Sequence, residues 1–266
     1  MPDLTVRGAR LHYELLGPEG GQPVALLNGI AMSAGHWKIM ADELVAEGYR
    51  VLLHDLRGQF LSEKPEDGYS FSGHASDLRT LMEALGIRQV HIVGTSYGAE
   101  IGLYFAKEHG SLARSLVVIA GAAFYDALLG RTIEAWKSAA LGDPRIFYRT
   151  IVPWNYSASW LEKNGELLAR RESELTTVPV EYFRAFAALC DVFLNLDIAG
   201  KLGELKVPTL ALAAGADLLK PPRYSRHIAE NVPGAEYDEI PGSGHAVVVE
   251  RPRETARRVL AFLKRH

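Results

Sequence analysis

The sequence predicts an α/β protein in which a mostly parallel sheet of eight strands is flanked by helices on both faces. Short, continuous apolar runs, typical of strands buried on both faces, recur along the chain between segments of helical periodicity. Such an alternation predicts a parallel sheet, because each helix returns the chain to the same edge. The alternation stops near residue 122 and resumes near residue 208, which predicts a helical insertion after the sixth strand.

Six strands are predicted before the interruption. The first two form a hairpin pattern around Arg7-Gly8-Ala9-Arg10, at residues 4–6 and 11–15. Four apolar runs follow, at residues 24–27, 50–54, 90–93 and 116–120. Helical periodicity separates these runs at residues 36–48, 72–85 and 99–109. Gly86 is placed to end the second of these helices.

The chain after the interruption completes the same pattern. Strands are predicted at residues 208–213 and 236–240, and helices at residues 222–231 and 253–265. The predicted domains are therefore an α/β core, residues 1–121 and 208–266, and a helical cap, residues 122–207.

The predicted cap is rich in aromatic residues. It holds 12 of the 24 Phe, Trp and Tyr residues, including Trp136, Trp154 and Trp160. Because open α/β sheets bind ligands at the carboxyl ends of their strands, we expect an apolar lid over that edge. These three tryptophans are the candidate substrate-binding residues. The alternative is that the aromatic side chains pack only the cap's own small core.

The bulk composition is typical of a soluble globular protein. The 266 residues carry a formal net charge of −3 and contain no run of Lys and Arg, so neither nucleic acid nor an anionic membrane is expected as a partner. Cys190 is the only cysteine, which excludes an intrachain disulfide. No signal peptide is recognisable, and no segment approaches the roughly 18 apolar residues of a membrane span. The chain is therefore expected in the cytoplasm.

The pentapeptide Gly94-Thr95-Ser96-Tyr97-Gly98 carries the main chemical signal. It stands between an apolar strand and a helix, the context of a nucleophile elbow, a sharp turn that presents a serine at its tip. The turn strains the backbone of the serine and needs small neighbours, which Gly94 and Gly98 supply. Because the same pattern arises by chance in a chain with 25 glycines, its interpretation depends on the residues that would activate Ser96.

Two downstream residues stand where partners of this serine are expected. A hydroxyl is a poor nucleophile unless a base accepts its proton, and a third group must orient that base. Asp217 follows the strand at residues 208–213, and His245 lies in a Gly-rich loop after the last strand. For Asp217 the alternative is a helix cap. Asp126 is then the fallback for the acid.

With these residues the chain resembles the α/β-hydrolase superfamily over nearly its whole length, in the subgroup that carries a helical cap. In that family the acid follows the strand after the cap and the histidine precedes the final helix, which are the positions of Asp217 and His245. The resemblance also implies an oxyanion hole made by two backbone amides. These are the amide of Tyr97, directly after the nucleophile, and the amide of Ile30, in the loop after the first buried strand.

Two short segments depart from the family's pattern. Asn28-Gly29 stands where many relatives have His-Gly, and Gly58-Gln59-Phe60-Leu61-Ser62 stands where many have Gly-His-Gly-x-Ser. The first change leaves the oxyanion hole intact, because the donor there is a backbone amide. An Asn-Gly pair also resembles some acyltransferases that act on 3-hydroxyacyl thioesters. The second change is expected to make the rim of the pocket more apolar.

The residues and the resemblance together imply a serine hydrolase of the carboxylesterase kind, with Ser96 as nucleophile, His245 as base and Asp217 as its orienting acid. The expected partner is a small to medium, apolar ester. No metal or organic cofactor is implied, since the sequence has neither a metal-ligand cluster nor a phosphate-binding Gly loop after the first strand. Acyl transfer and the hydrolysis of lactones or carbon–carbon bonds use the same triad and stay open, as does a non-catalytic ligand receptor.

Overall fold

A computed structural model describes residues 2–266 of the chain. Eight strands form one sheet in this part of the chain. In chain order they are β1 (Asp3–Val6), β2 (Ala9–Leu16), β3 (Pro23–Leu27), β4 (Arg50–His54), β5 (Val90–Thr95), β6 (Ala113–Ile119), β7 (Thr209–Ala214) and β8 (Glu236–Ile240).

Along the sheet the strands follow the order β1-β2-β4-β3-β5-β6-β7-β8. The pairs β1/β2 and β2/β4 are antiparallel, and all other neighbours are parallel. The chain leaves β3 toward one side of the sheet and later returns to its other side as β5. Ligands of open α/β sheets bind at such a reversal, beyond the carboxyl ends of the strands. The predicted mostly parallel sheet, flanked by helices, is confirmed.

The described chain contains eleven α-helices. They are α1 (Lys38–Ala46), α2 (Phe71–Ala84), α3 (Tyr97–His109), α4 (Ala127–Ala140), α5 (Pro144–Asn155), α6 (Ala158–Lys163), α7 (Gly165–Leu175), α8 (Val180–Phe193), α9 (Arg223–Asn231), α10 (Val247–Glu250) and α11 (Pro252–Leu263). The helix predicted at residues 36–48 is divided, because a 3-10 turn, Ala34–Trp37, precedes α1. The single turn of α10 is too short to show periodicity in the sequence, and it was not predicted.

The apolar strands divide their side chains between two hydrophobic clusters, one on each face of the sheet. In β3, Ala25 and Leu27 belong to the first cluster, while Val24 and Leu26 belong to the second. This alternation follows from the period of two along a strand. A run that is apolar at every position is therefore explained by burial on both faces.

The five helices α4 to α8 lie between β6 and β7, within residues 122–207. Three of them add Trp136, Phe147 and Phe186 to the first cluster, which also contains residues of α2 and α3. The second cluster is formed with α1 and α11. The aromatic side chains of residues 122–207 therefore pack partly on one another and partly on the core. No helix within residues 2–266 has the length and apolar character needed to cross a membrane.

Two histidines are buried in the fold, His54 at the end of β4 and His74 in α2. Within residues 2–266, both ring nitrogens of His74 and Nδ1 of His54 have no hydrogen-bond partner. Burial lowers the pKa of each imidazole from 6.5 to about 4, against the opposing effect of the Asp77 carboxylate. Arg57 and Arg7 lower the pKa of His74 further. Both rings are therefore neutral in the folded protein above pH 5.

We expect the free energy of unfolding to fall as the pH falls from about 6.5 to about 4, because the unfolded chain then binds protons that the buried imidazoles do not. Replacing His74 with Phe removes one such site and should reduce the decrease by about 2 to 3 kcal/mol. Urea unfolding at pH 7.5 and pH 4.5 measures the free energy of unfolding of wild type and of His74→Phe. At pH 7.5 the ring is neutral in both states, so any difference there reports packing alone. Equal pH dependence in wild type and His74→Phe would contradict the expectation.

Candidate active site

Three residues predicted from the sequence lie side by side at the carboxyl edge of the sheet. Ser96 follows β5, Asp217 follows β7 and His245 follows β8. His245 Nε2 lies 2.8 Å from Ser96 Oγ, and His245 Nδ1 lies 2.7 Å from Asp217 Oδ2. Asp217 and His245 are buried, while Ser96 is partly exposed. The structure therefore joins the serine, the imidazole and the carboxylate in one chain of hydrogen bonds.

The turn between β5 and α3 holds Ser96 in an unusual backbone conformation. Its φ is +51° and its ψ is −118°, a region that residues other than glycine rarely adopt. The Ser96 amide donates to the Ile119 carbonyl at 2.9 Å, which ties the turn to β6. A Cβ at Gly94 would meet the backbone of Gly98, and a Cβ at Gly98 would meet the backbone of Leu27. The two glycines are required because backbone passes directly against them.

The Asp217 carboxylate is fixed by its own loop. Its Oδ1 accepts the amides of Leu219 and Lys220, both at 2.8 Å, which leaves Oδ2 for His245. Asp217 therefore makes local contacts like those of a cap and also contacts the imidazole. Asp126, the alternative acid, instead accepts the Leu129 amide at the start of α4 and pairs with Arg223 at 2.7 Å.

The amides expected to form the oxyanion hole lie next to Ser96. Within residues 2–266, neither the Ile30 amide nor the Tyr97 amide donates a hydrogen bond to a protein acceptor. Tyr97 is the first residue of α3, whose first amides point away from the helix. Ile30 and Ser96 line one cavity, and a Cβ at Gly29 would stand 3.6 Å from Ser96 Cβ. Both amides are therefore available to an oxygen atom bound beside Ser96.

The two departures from the family's pattern contact each other. Asn28 Nδ2 donates to Gln59 Oε1 at 3.0 Å, and Trp37 Nε1 donates to Asn28 Oδ1 at 2.9 Å. Gln59 Nε2 donates to the carbonyls of Gly29 and Ile30, at 2.8 and 3.1 Å. The loop that carries the Ile30 amide is thus fixed by a buried pair of side-chain amides. The two departures from the family's pattern are therefore joined by a hydrogen bond.

A cavity of about 350 Å³ lies beside Ser96 and His245. Most of its wall is apolar or aromatic, including Phe60, Trp136, Phe147, Ile151 and Tyr182. Phe60 belongs to the second departing segment and does contribute an apolar side chain to this cavity. The polar residues that line the cavity include His36. They also include four residues from the segment between β6 and β7: Tyr148, Asn155, Tyr156 and Arg171.

The three tryptophans predicted for substrate binding have different positions. Trp136 lines the cavity and is almost fully buried. Trp154 and Trp160 are not among the residues that line it. Trp160 stacks on Tyr156, with the ring centroids 4.1 Å apart, and Trp154 packs against the first hydrophobic cluster. Aromatic composition indicates an apolar segment, but it does not determine which side of a helix faces the cavity.

The loop that carries His245 is attached to the segment after α5. The Ser157 amide and hydroxyl donate to the Glu250 carboxylate at 2.6 and 2.8 Å, and the Ala246 amide donates to the Asn155 carbonyl at 2.7 Å. A Cβ at Gly244 would meet the backbone at Ser157. The helices between β6 and β7 are thus connected directly to the position of the imidazole.

Sequence reasoning missed a buried ion pair under the serine. Lys220 Nζ lies 2.9 Å from both carboxylate oxygens of Glu100 and 3.4 Å from Ser96 Oγ. Glu100 also accepts the Ala122 amide at 2.7 Å. Burial raises the pKa of the Glu100 carboxyl, against the lowering effect of Lys220. The available signals were a glutamate in the apolar helix after the elbow and a lysine three residues after Asp217.

Two other histidines lie near the site. His36 lines the cavity, whereas His74 packs edge-on against the ring of Tyr97 at 5.7 Å. Across residues 2–266, no three His, Cys, Asp or Glu side chains are grouped so that they could hold a metal ion.

Known proteins share both the sequence pattern and the architecture of this chain. The model of the family described as the alpha/beta hydrolase fold matches residues 22–252. A curated relative from Stutzerimonas stutzeri, which carries the provisional name carbamate hydrolase RutD, is 32% identical and covers 89% of this chain and 90% of its own length.

Solved structures agree with this match. MGS-M2, an α/β-hydrolase enzyme from a Medee basin deep-sea metagenome library, has a TM-score of 0.93 at 27% identity, over 99% of this chain and 97% of its own. The enol-lactonase from Burkholderia xenovorans LB400 has a TM-score of 0.91 at 23% identity, over 99% of this chain and 100% of its own, and this likeness shows the fold alone. Because the family match spans most of the sequence, the chain belongs to the α/β-hydrolase fold family.

Proposed function

We propose that the protein is a serine hydrolase that cleaves carboxylic esters of small to medium size through an acyl-enzyme intermediate. The observation that supports it is the continuous path of hydrogen bonds from Ser96 Oγ through His245 to Asp217, with distances of 2.8 and 2.7 Å. Membership of the α/β-hydrolase fold family is consistent with hydrolysis. In this proposal residues 122–207 act as a cap over the site.

Acylation follows from this geometry. Ser96 Oγ attacks the ester carbonyl carbon while its proton passes to His245 Nε2, and a tetrahedral intermediate forms. Asp217 accepts the hydrogen bond from Nδ1, which fixes the tautomer and stabilises the imidazolium. The imidazolium then gives its proton to the alcohol oxygen, the bond from carbon to that oxygen breaks, and Ser96 remains acylated. Water repeats the sequence with His245 as base and releases the acid.

The Ile30 and Tyr97 amides would stabilise the negative oxygen of each tetrahedral intermediate. In comparable sites one such donor is worth about 3 kcal/mol of transition-state stabilisation. Because both donors belong to the backbone, side-chain replacement at either position would leave them in place. The apolar wall of the cavity supports an apolar acyl or alcohol group.

Ser96→Ala tests the proposal. Removing the nucleophile should abolish labelling by a fluorophosphonate and lower the hydrolysis of 4-nitrophenyl butyrate by about 10⁴-fold or more. Labelling is followed by mass spectrometry and hydrolysis by absorbance. Ser225→Ala is the matched control, because Ser225 is buried in α9 and its hydroxyl has no partner within residues 2–266.

Full activity in Ser96→Ala would overturn the assignment of the nucleophile. Absence of turnover by the wild type, together with a ligand that raises its melting temperature, would favour the receptor alternative. Transfer of the acyl group to an added alcohol in preference to water would favour the acyltransferase alternative.

A second candidate substrate class is supported by the name of the Stutzerimonas stutzeri relative, carbamate hydrolase RutD. A carbamate presents the same trigonal carbonyl to Ser96 but is less electrophilic, since its nitrogen donates electrons into the carbonyl. For an esterase we expect rapid turnover of 4-nitrophenyl acetate, and at most one equivalent of nitrophenol from 4-nitrophenyl N-methylcarbamate. Sustained carbamate turnover at a rate comparable with the ester would instead favour the carbamate reaction. A stopped-flow burst assay separates the two outcomes.

A further inference from the structure

The Lys220–Glu100 pair has a position that the proposed triad does not require. The Lys220 side chain is 2% exposed, the Glu100 side chain is fully buried, and the ammonium touches the oxygen of the nucleophile. The same ammonium lies 4.7 Å from the centroid of the Phe193 ring, which covers its other side. Ser96 Oγ thus has two polar neighbours, an imidazole that accepts its proton and an ammonium that can only donate.

Stability alone gives little reason for such a pair. Moving two charges out of water carries a desolvation penalty that their attraction often fails to offset, and apolar residues of similar size are frequently as stable. Both carboxylate oxygens of Glu100 accept a hydrogen bond from Lys220, and Oε1 also accepts one from the Ala122 amide. The pair is therefore held rigidly in place under Ser96.

We propose that Lys220 is a further catalytic residue, which donates a hydrogen bond to Ser96 Oγ and offsets the negative charge that develops there. This inference rests on the proposed function. During acylation the charge develops as the Oγ proton passes to His245. During deacylation it develops again as the bond from the acyl carbon to Oγ breaks, and His245 returns a proton to that oxygen. Lys220 keeps its own protons throughout.

Glu100 is the positioning residue in this arrangement. An isolated ammonium near His245 would oppose protonation of the imidazole, because like charges repel in a buried site. The Glu100 carboxylate cancels that effect, and it is close enough to His245 for the imidazolium to lower the carboxyl's pKa. Because the ion pair carries no net charge, Lys220 can donate a hydrogen bond to Ser96 Oγ while His245 still accepts a proton.

The test compares Lys220→Met with the double variant Lys220→Met/Glu100→Gln. The single variant leaves a buried carboxylate without its cation and should lower the melting temperature. The double variant leaves no charge unpaired and keeps an acceptor for the Ala122 amide, so its melting temperature should rise again toward wild type. We expect both variants to react with the fluorophosphonate, and to deacylate after a 4-nitrophenyl butyrate burst, about 10- to 100-fold more slowly than wild type. Lys201→Met, which removes an exposed lysine, is the control.

Recovery of the wild-type labelling rate in the double variant would show that the Lys220–Glu100 pair has only a structural role, and it would overturn the inference. A wild-type rate in folded Lys220→Met would do the same while leaving the proposed function intact. If wild type itself is not labelled at Ser96, the proposed function fails, and this inference fails with it.

A separate observation concerns charge in the cavity. Two arginines on the helices around the cavity have carboxylate partners. Arg149 on α5 pairs with Glu172 at 2.7 Å, and Arg170 on α7 pairs with Glu174 at 3.7 Å. Arg171 lines the cavity, and within residues 2–266 no carboxylate oxygen lies within 4.0 Å of it. Its one side-chain hydrogen bond goes to a neutral group, the Tyr156 hydroxyl, at 3.1 Å.

The wall of the same cavity also holds neutral polar groups. The Tyr148 hydroxyl and the Trp136 indole N–H are buried and have no hydrogen-bond partner within residues 2–266, and both residues line the cavity. Arg171 lies close enough to His36 to add to the effect of burial in lowering the pKa of that imidazole, so His36 is neutral at pH 7. Glu174 also lines the cavity, but its carboxylate forms an ion pair with Arg170.

We infer that Arg171 binds an anionic group of the substrate, most simply a carboxylate at the end of an apolar chain whose ester carbonyl lies at Ser96. The inference deepens the proposed function by adding a charged end to an otherwise apolar substrate. A carboxylate would give the guanidinium the charged acceptor that the protein does not supply.

Two esters of equal chain length test this inference: 4-nitrophenyl hexanoate and the mono-4-nitrophenyl ester of adipic acid. Arg171→Met should lower kcat/KM for the adipic half-ester about 10- to 100-fold, mainly through KM, while kcat/KM for the hexanoate changes little. Arg184→Met is the matched control, because Arg184 is exposed on α8, does not line the cavity and should leave the ratio unchanged.

An equal ratio of the two esters in wild type and Arg171→Met would overturn the anionic subsite. If neither ester is turned over, protection of Ser96 from the fluorophosphonate by adipate gives the same comparison. Protection that is equal in wild type and Arg171→Met would count against the subsite, while failure of Ser96 to label would count against the proposed function.

Discussion

The turn between β5 and α3 holds Ser96 at a φ of +51°, a conformation that costs on the order of 1 to 3 kcal/mol for a residue with a side chain. Contacts on both sides maintain it, because the Ser96 amide is tied to Ile119 and the backbone passes against Gly94 and Gly98. The same turn points the hydroxyl at His245 and leaves the first amides of α3 free. A strained backbone thus positions the proposed nucleophile together with part of the proposed oxyanion hole.

The loop after β3 completes that arrangement by a different means. Asn28 and Gln59 form a buried pair, and Gln59 fixes the carbonyls on either side of the Ile30 amide. Buried polar groups need partners, and here each amide satisfies the other. A change at either position would remove one of the several hydrogen bonds that hold its partner. The two residues are therefore best understood as one unit.

Strand order brings these parts together, since β3, β5, β7 and β8 all end at the same edge of the sheet. The helices between β6 and β7 line the cavity at that edge. They provide the apolar wall, and through Ser157 and Glu250 they are also attached to the loop of His245. The cavity wall and the groups proposed to react with a substrate are therefore connected by direct hydrogen bonds.

The sequence by itself determined the α/β class and all eight strands, because local periodicity marks each strand and helix. Short motifs at strand ends also predicted Ser96, Asp217 and His245, whose side chains the structure brings into contact. It did not reveal the pairing of Lys220 with Glu100, which are separated by 120 residues. It also did not distinguish Trp136, which lines the cavity, from Trp154 and Trp160. Only the tertiary structure decided these points, because contact across the chain and the direction of a side chain depend on how helices pack against the sheet.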